Sequence, residues 1–286
     1  MLIAHVGQPV RPHDLWGAWH LDPFVVAGLV TLVWVYRRGR RRGEGRLAGD
    51  RRRDHAFTAA VVIIGVALVS PLDAAAGAVA SAHMAQHMLL ILGAAPLLAA
   101  SGLGPVLYRA GPRRLRDVTR PWRHRIRGPV LAVIAHPGAV VLAHIAAIWV
   151  WHARLPYDAA TRSQVLHAVE HLSFLLTAFL FWRIIAGRWP ADGRGGLRVM
   201  ALFVMSLQGV FLAALLTFAE SPWYSAYTES APAFGLSPLA DQQLAGLIMW
   251  IPSGLVYLGF ALASVVRSLG TDIEPGRVSF DPRPPS

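Results

Sequence analysis

Six histidines occupy positions from which imidazoles could meet. His83 and His87 are four residues apart, as are His167 and His171, and each pair opens an apolar stretch. Four residues along a helix return to within about 40 degrees of the starting direction, so one face presents both rings of a pair. Two such pairs on neighbouring helices form a donor set for one compact ion. His144 and His152 lie about 80 degrees and two turns apart on another apolar stretch, too distant in height for both to hold one ion. His144 is expected to contribute the deeper donor, and His152 a ligand on the way in. A single pair at this spacing often does no more than hydrogen-bond near a helix end. A second pair starting at the same membrane face, with His144 added from a third helix, weighs against that reading.

The surrounding residues narrow the chemistry. The chain has no cysteine, which excludes thiolate metal sites and disulfides. Met84 and Met88 each follow a histidine of the first pair, and thioether with imidazole is a ligand set suited to Cu(I). Adjacent residues point about 100 degrees apart, however, so apolar packing is the plainer role for both methionines. Glu170 lies between His167 and His171. It could be a ligand, an acceptor that orients an imidazole and balances a cation, or a buried acid paired with Arg162 or a glutamine. Asp73, Asp241, Gln242 and Gln243 could line an entrance or act as interfacial caps, Asp241 being well placed to cap its own helix.

The elements that must position these groups are membrane spans. A chain that is 55% hydrophobic and 15% charged over 286 residues is too apolar for an ordinary soluble domain, which points to lipid. Seven stretches are long enough to cross a bilayer: 21–36, 56–71, 83–108, 130–151, 164–186, 199–219 and 242–266. The third carries Pro96 and Pro105, so its inner end is expected to be kinked or unwound. The first lacks the basic start and cleavage site of a signal peptide and reads as a retained span.

All basic residues are arginine, and they alternate between connections. Arg37 to Arg53 follow span one, Arg109 to Arg127 follow span three, Arg188 to Arg198 follow span five, and Arg267 closes span seven. The intervening connections carry few or none, and only Arg154 and Arg162 follow span four. Short arginine-rich loops stay cytoplasmic, so the N-terminus is expected outside and the C-terminus inside. Trp16, Trp19, Trp149, Trp151 and Trp223 then fall near the outer interface, where indole rings prefer to sit. The net charge of +11 is thereby read as topology and not as a nucleic-acid surface. The expected organisation is one all-α integral membrane domain over 1–270 with seven transmembrane helices, followed by a disordered Pro-rich tail over 271–286.

The run His83-Met-Ala-Gln-His-Met-Leu-Leu resembles a known family, as do His167-Ala-Val-Glu-His-Leu-Ser-Phe with Phe181-Trp182, and Leu236-Ser-Pro-Leu-Ala-Asp-Gln-Gln-Leu-Ala-Gly-Leu-Ile-Met-Trp. This is the multi-spanning cytochrome c oxidase assembly factor family of the CtaG type, and the resemblance covers spans two to seven. It implies a bacterial plasma-membrane protein needed to mature a haem-copper oxidase through copper supply, with an oxidase subunit or a copper donor chaperone as partner. It picks out Asp73, His83, His87, His167, Glu170, His171, Asp241 and Gln242. The Arg37 to Arg53 connection and the tail lie outside it.

Three other classes use intramembrane histidines. A haem-binding membrane cytochrome wants one axial histidine per helix at each haem level, which doubled pairs do not suit. A membrane di-iron oxygenase would place its pairs on the cytoplasmic side. A metal or proton transporter needs polar groups across the whole bilayer, yet here the inner half holds little beyond His136. The expectation is a non-enzymatic protein that holds one copper ion, as Cu(I), between the outer ends of spans three, four and five.

Overall fold

The computed structural model describes residues 10–42, 51–111, 136–186 and 195–271, with side chains up to 266. The tail over 272–286 and most of the arginine-rich connections lie outside the described residues. Among the described residues every regular element is helical: α1 (Pro23–Arg41), α2 (Arg51–Val69), α3 (Pro71–Ala76), α4 (Ala80–Met88), α5 (Ala95–Ala100), α6 (Leu103–Ala110), α7 (Pro137–His152), α8 (Arg154–Arg162), α9 (Gln164–Ala186), α10 (Gly195–Thr217) and α11 (Pro238–Thr271). Four helical segments are long and apolar enough to cross a membrane: Ala80–Ala100, Gln164–Ala186, Gly195–Thr217 and Pro238–Val266. A fifth is added if α7 and α8, which turn by 72° at Ala153, count as one broken span. The first two expected spans lie in α1 and α2, whose 19 residues include Arg37, Arg38, Arg40 and Arg41 in one and Arg51 to Asp54 in the other. These charged ends leave apolar stretches shorter than a bilayer core requires in a helix set upright.

The third expected span departs from a simple kink. Between α4 and α5 the backbone forms a π turn over Leu89–Ala94. Such a turn breaks the regular ladder and leaves carbonyls in need of other donors. The Trp182 indole of α9 supplies one, donating to the Ile91 carbonyl at 2.9 Å. The run then stops at Gly102, whose φ of 71° is left-handed and costs glycine little, and restarts as α6. Thus the helix ends just ahead of Pro105, while Pro96 is the second residue of α5, directly after the π turn.

Two apolar cores hold the bundle. Phe174, Phe181, Trp182, Leu202, Met205 and Leu216 belong to a core shared by α4, α7, α9, α10 and α11. Tyr36, Phe57, Ile64, Leu90 and Leu98 join α1 and α2 to the π turn and α5, with Tyr36 stacked on Phe57 at 3.7 Å between ring centres. Backbones approach closely at Gly246 of α11, where a Cβ would lie 2.9 Å from the Ala213 carbonyl oxygen of α10. The outward faces are apolar as well: Met200, Phe203, Leu207 and Phe211 of α10 are all exposed at helical spacing. Apolar groups outside with His83, His87, His144, Glu170 and Asp241 buried inside is the inverse of a water-soluble protein and suits a lipid solvent.

Candidate metal centre

α4 and α9 present their histidines in register. His83 and His87 are the fourth and eighth residues of α4, and His167 and His171 hold the same places in α9. The level pairs match, with ring centres 5.2 Å apart for both His83–His167 and His87–His171. Within each helix the rings stand 4.3 Å and 4.2 Å apart, as the four-residue spacing requires. The Trp182 bond to the π turn sets this register, because it fixes α9 against the segment that continues α4.

Glu170 completes the group. It is 1% exposed, and its carboxylate oxygens lie 3.7 Å from His87 Nε2 and 3.9 Å from His83 Nε2. Among the described residues neither oxygen accepts a hydrogen bond, and His83 Nε2, both nitrogens of His87, His167 Nε2 and His171 Nε2 are likewise without a partner. A buried polar atom left unpaired costs about 1–3 kcal/mol, and seven in one cluster call for a guest. His83, His87 and His171 each offer a ligand atom within 4.8 Å of the others, and so do His83, His167 and Glu170. Neutral imidazoles with one carboxylate and no thiolate suit zinc, copper, iron or nickel.

The cluster is held from outside by groups that the spacing of the sequence does not reveal. The Tyr227 hydroxyl meets His83 Nδ1 at 2.9 Å and lies 3.4 Å from the Ala76 carbonyl. With Nδ1–H donating to Tyr227 and Tyr227 donating to Ala76, Nε2 is left as the ligand nitrogen. Burial pushes the Tyr227 pKa well above the ordinary tyrosine value, so the hydroxyl keeps its proton. Tyr157 donates to Tyr227 at 3.1 Å and stacks on Tyr224, whose hydroxyl donates to the His152 carbonyl. These tyrosines come from α8 and the α10–α11 loop and cover the His83 side of the cluster.

The remaining expected residues sort by position. His152, the last residue of α7, lies 6.3 Å from His87 between ring centres and holds its Nδ1 on the Ile148 carbonyl, so Nε2 is the unpaired nitrogen. His144 stands apart: its Nδ1 meets Thr177 Oγ1 at 2.9 Å, and its ring stacks on Phe181. His144 Nε2 is also buried and without a partner among the described residues, and neither His144 nor His152 belongs to the two groups whose ligand atoms lie within 4.8 Å of one another. Met84 is buried in the main core, and Met88 packs against it. Arg162 reaches Ser225 and not Glu170.

Asp73, Asp241 and Gln242 act at the edges. Asp241 sits inside the first turn of α11, where Ser237 takes the capping role by accepting from Ala240 N. Its carboxylate instead accepts from Ala80 N at 2.6 Å and Ser81 N at 3.0 Å, capping α4 from across the bundle. That helix has no side-chain cap of its own. Gln242 accepts from Trp223 N and holds the α10–α11 loop. Asp73 accepts from Gln86 Nε2 at 2.8 Å and from the partly exposed His20 at the same distance. His20 had no spacing signal, since it precedes α1 and reaches Asp73 only through the fold.

The fold and the centre together define an all-helical, multi-pass membrane protein with a buried histidine–glutamate cluster able to hold a metal ion. The family described as cytochrome c oxidase caa3 assembly factor (Caa3_CtaG) has a model that matches residues 30–270, and the chain belongs to that family. No curated protein and no solved structure matches it.

Proposed function

We propose that this protein binds copper as Cu(I) at the His83, His87, His167, His171 and Glu170 cluster and passes it to a haem-copper oxidase during assembly. The observation that carries the reading is the group of unpaired nitrogens around one buried carboxylate. Charge favours the monovalent ion: neutral imidazoles with one carboxylate around Cu(I) sum to zero, whereas a divalent ion would leave a buried positive charge at considerable cost. His152 is an additional donor beside His87, while Met84, Met88 and His144 serve packing. Asp73, Asp241 and Gln242 shape the surroundings.

The seven-span topology is part of the proposal, with the cluster facing the outside of a bacterial plasma membrane, the N-terminus on the same side and the C-terminus in the cytoplasm. So are a single domain over 1–270 and a non-enzymatic mode of action in which ligand exchange is the only chemistry. An oxidase subunit or a copper donor chaperone docks on the outer loops; nucleic acid has no part. Replacing His83 and His87 by alanine should abolish copper retention and lower oxidase activity while the protein stays in the membrane. Unchanged oxidase activity with the variant present at normal level would defeat the reading. A reporter fused to the C-terminus should be active only in the cytoplasm.

A further inference from the structure

The cluster resolves into two overlapping donor sets, His83 with His87 and His171, and His83 with His167 and Glu170. Imidazole and carboxylate donors sit about 2.0–2.2 Å from an ion of this kind, so any two on the same ion are at most about 4.4 Å apart. With ligand atoms already within 4.8 Å, each set closes through small side-chain shifts. The sets differ in depth and chemistry. His87 and His171 stand on the second turns of α4 and α9 and are buried, giving an all-imidazole position. His167 stands on the first turn, is only partly buried, and shares its set with a carboxylate.

His83 belongs to both sets but has one nitrogen to give. Its Nδ1 is engaged by Tyr227, and a single Nε2 lone pair serves one ion at a time. The two positions therefore exclude each other while His83 takes part in both. Glu170 stands 3.7 Å from His87 Nε2 and 3.9 Å from His83 Nε2, so its charge stays beside the cation in either position. His152, with its Nδ1 fixed on Ile148, points to a fourth imidazole for the inner position.

Building on the copper function proposed above, we propose that the cluster is a two-position relay in which a single ion is stored at His83–His87–His171 and leaves through His83–His167–Glu170. His83 stays bound throughout. His87 and His171 let go as His167 and Glu170 take hold, the copper remains Cu(I), and no electron or proton moves.

The test uses the full chain in detergent micelles, with Cu(I) alone as probe and a chromophoric chelator as acceptor. Equilibrium competition measures affinity, and stopped-flow transfer to excess chelator measures release. His171→Gln and His87→Ala should weaken affinity by at least about 10-fold, the smallest loss usual when a metal site is disturbed. His167→Gln should weaken affinity less than His171→Gln yet slow release by about 10-fold, which separates a transit position from a storage one, whereas Glu170→Gln, which removes the charge beside the ion in both positions, should weaken affinity and slow release together. The conservative His167→Gln variant, at a partly exposed position, guards against loss of fold. His167→Gln weakening affinity as much as His171→Gln, or leaving release as fast as in the wild type, would overturn the relay in favour of one undivided site. Two ions retained per chain would also overturn it. A wild-type chain that retains no Cu(I) would instead remove the copper reading itself.

Discussion

Asp241 offers the sharpest test of how the cluster is positioned. Its carboxylate accepts from the Ala80 and Ser81 amides at 2.6 Å and 3.0 Å, and it is fully buried. The first amides of any helix lack partners within that helix, and Val79 gives α4 no side-chain cap. Asp241→Asn keeps the shape but removes the charge and turns one acceptor into a donor facing a donor. A hydrogen bond to a charged group is worth about 1.5–3 kcal/mol, and a negative charge at a helix N-terminus adds about 0.3–1 kcal/mol. The expected loss is about 2–4 kcal/mol, a factor of roughly 30 to 900 in the opening equilibrium of that turn. Hydrogen exchange read by mass spectrometry should show the amides of Ala80 to His83 losing protection by that factor, with Met205 to Leu212 of α10 unaffected. Because His83 lies in the freed turn, copper affinity should fall in parallel. Unchanged exchange at Ala80 to His83, with global stability within about 0.5 kcal/mol of wild type, would refute the capping argument.

Other perturbations follow from single contacts. Trp182→Phe strands the Ile91 carbonyl in the π turn and should cost about 1–3 kcal/mol in denaturant unfolding, with weaker copper retention as α9 loses its register on α4. Tyr227→Phe removes the hydroxyl that orients His83 and should weaken copper affinity by about 10- to 100-fold in competition titration, with about 1–3 kcal/mol lost in denaturant unfolding because the buried Tyr157 hydroxyl loses its acceptor. Gly246→Ala forces a methyl group against the Ala213 carbonyl and should destabilise the α10–α11 pair by about 1–3 kcal/mol, visible in the unfolding midpoint.

The helical pairs were legible because their chemistry and their geometry share one period. His83 with His87 and His167 with His171 could be placed on common faces from spacing alone, and α9 runs over the expected 164–186. The family was legible for the same reason, its motifs lying on those helices. What escaped depends on where helices end and bend. The π turn over Leu89–Ala94 gives no periodic signal, whereas the break at Gly102, between Pro96 and Pro105, falls in the stretch expected to be kinked or unwound. The roles of His144 and His152 depend on how α7 leans against α9, which no single helix encodes. Asp241 looked like a cap and is one, but for a helix 160 residues away. His20, Tyr157, Tyr224 and Tyr227 come from irregular segments or a short helix and meet the cluster's surroundings only when the chain closes.

Copper content joined to X-ray absorption is the most direct trial of a shared ion at these imidazoles. Protein purified from copper-supplied cells should carry about one copper per chain in an imidazole-dominated, monovalent environment, and the His87→Ala, His171→Gln double variant should carry almost none. A double variant as rich in copper as the wild type, or a wild type whose copper lacks imidazole neighbours, would contradict it.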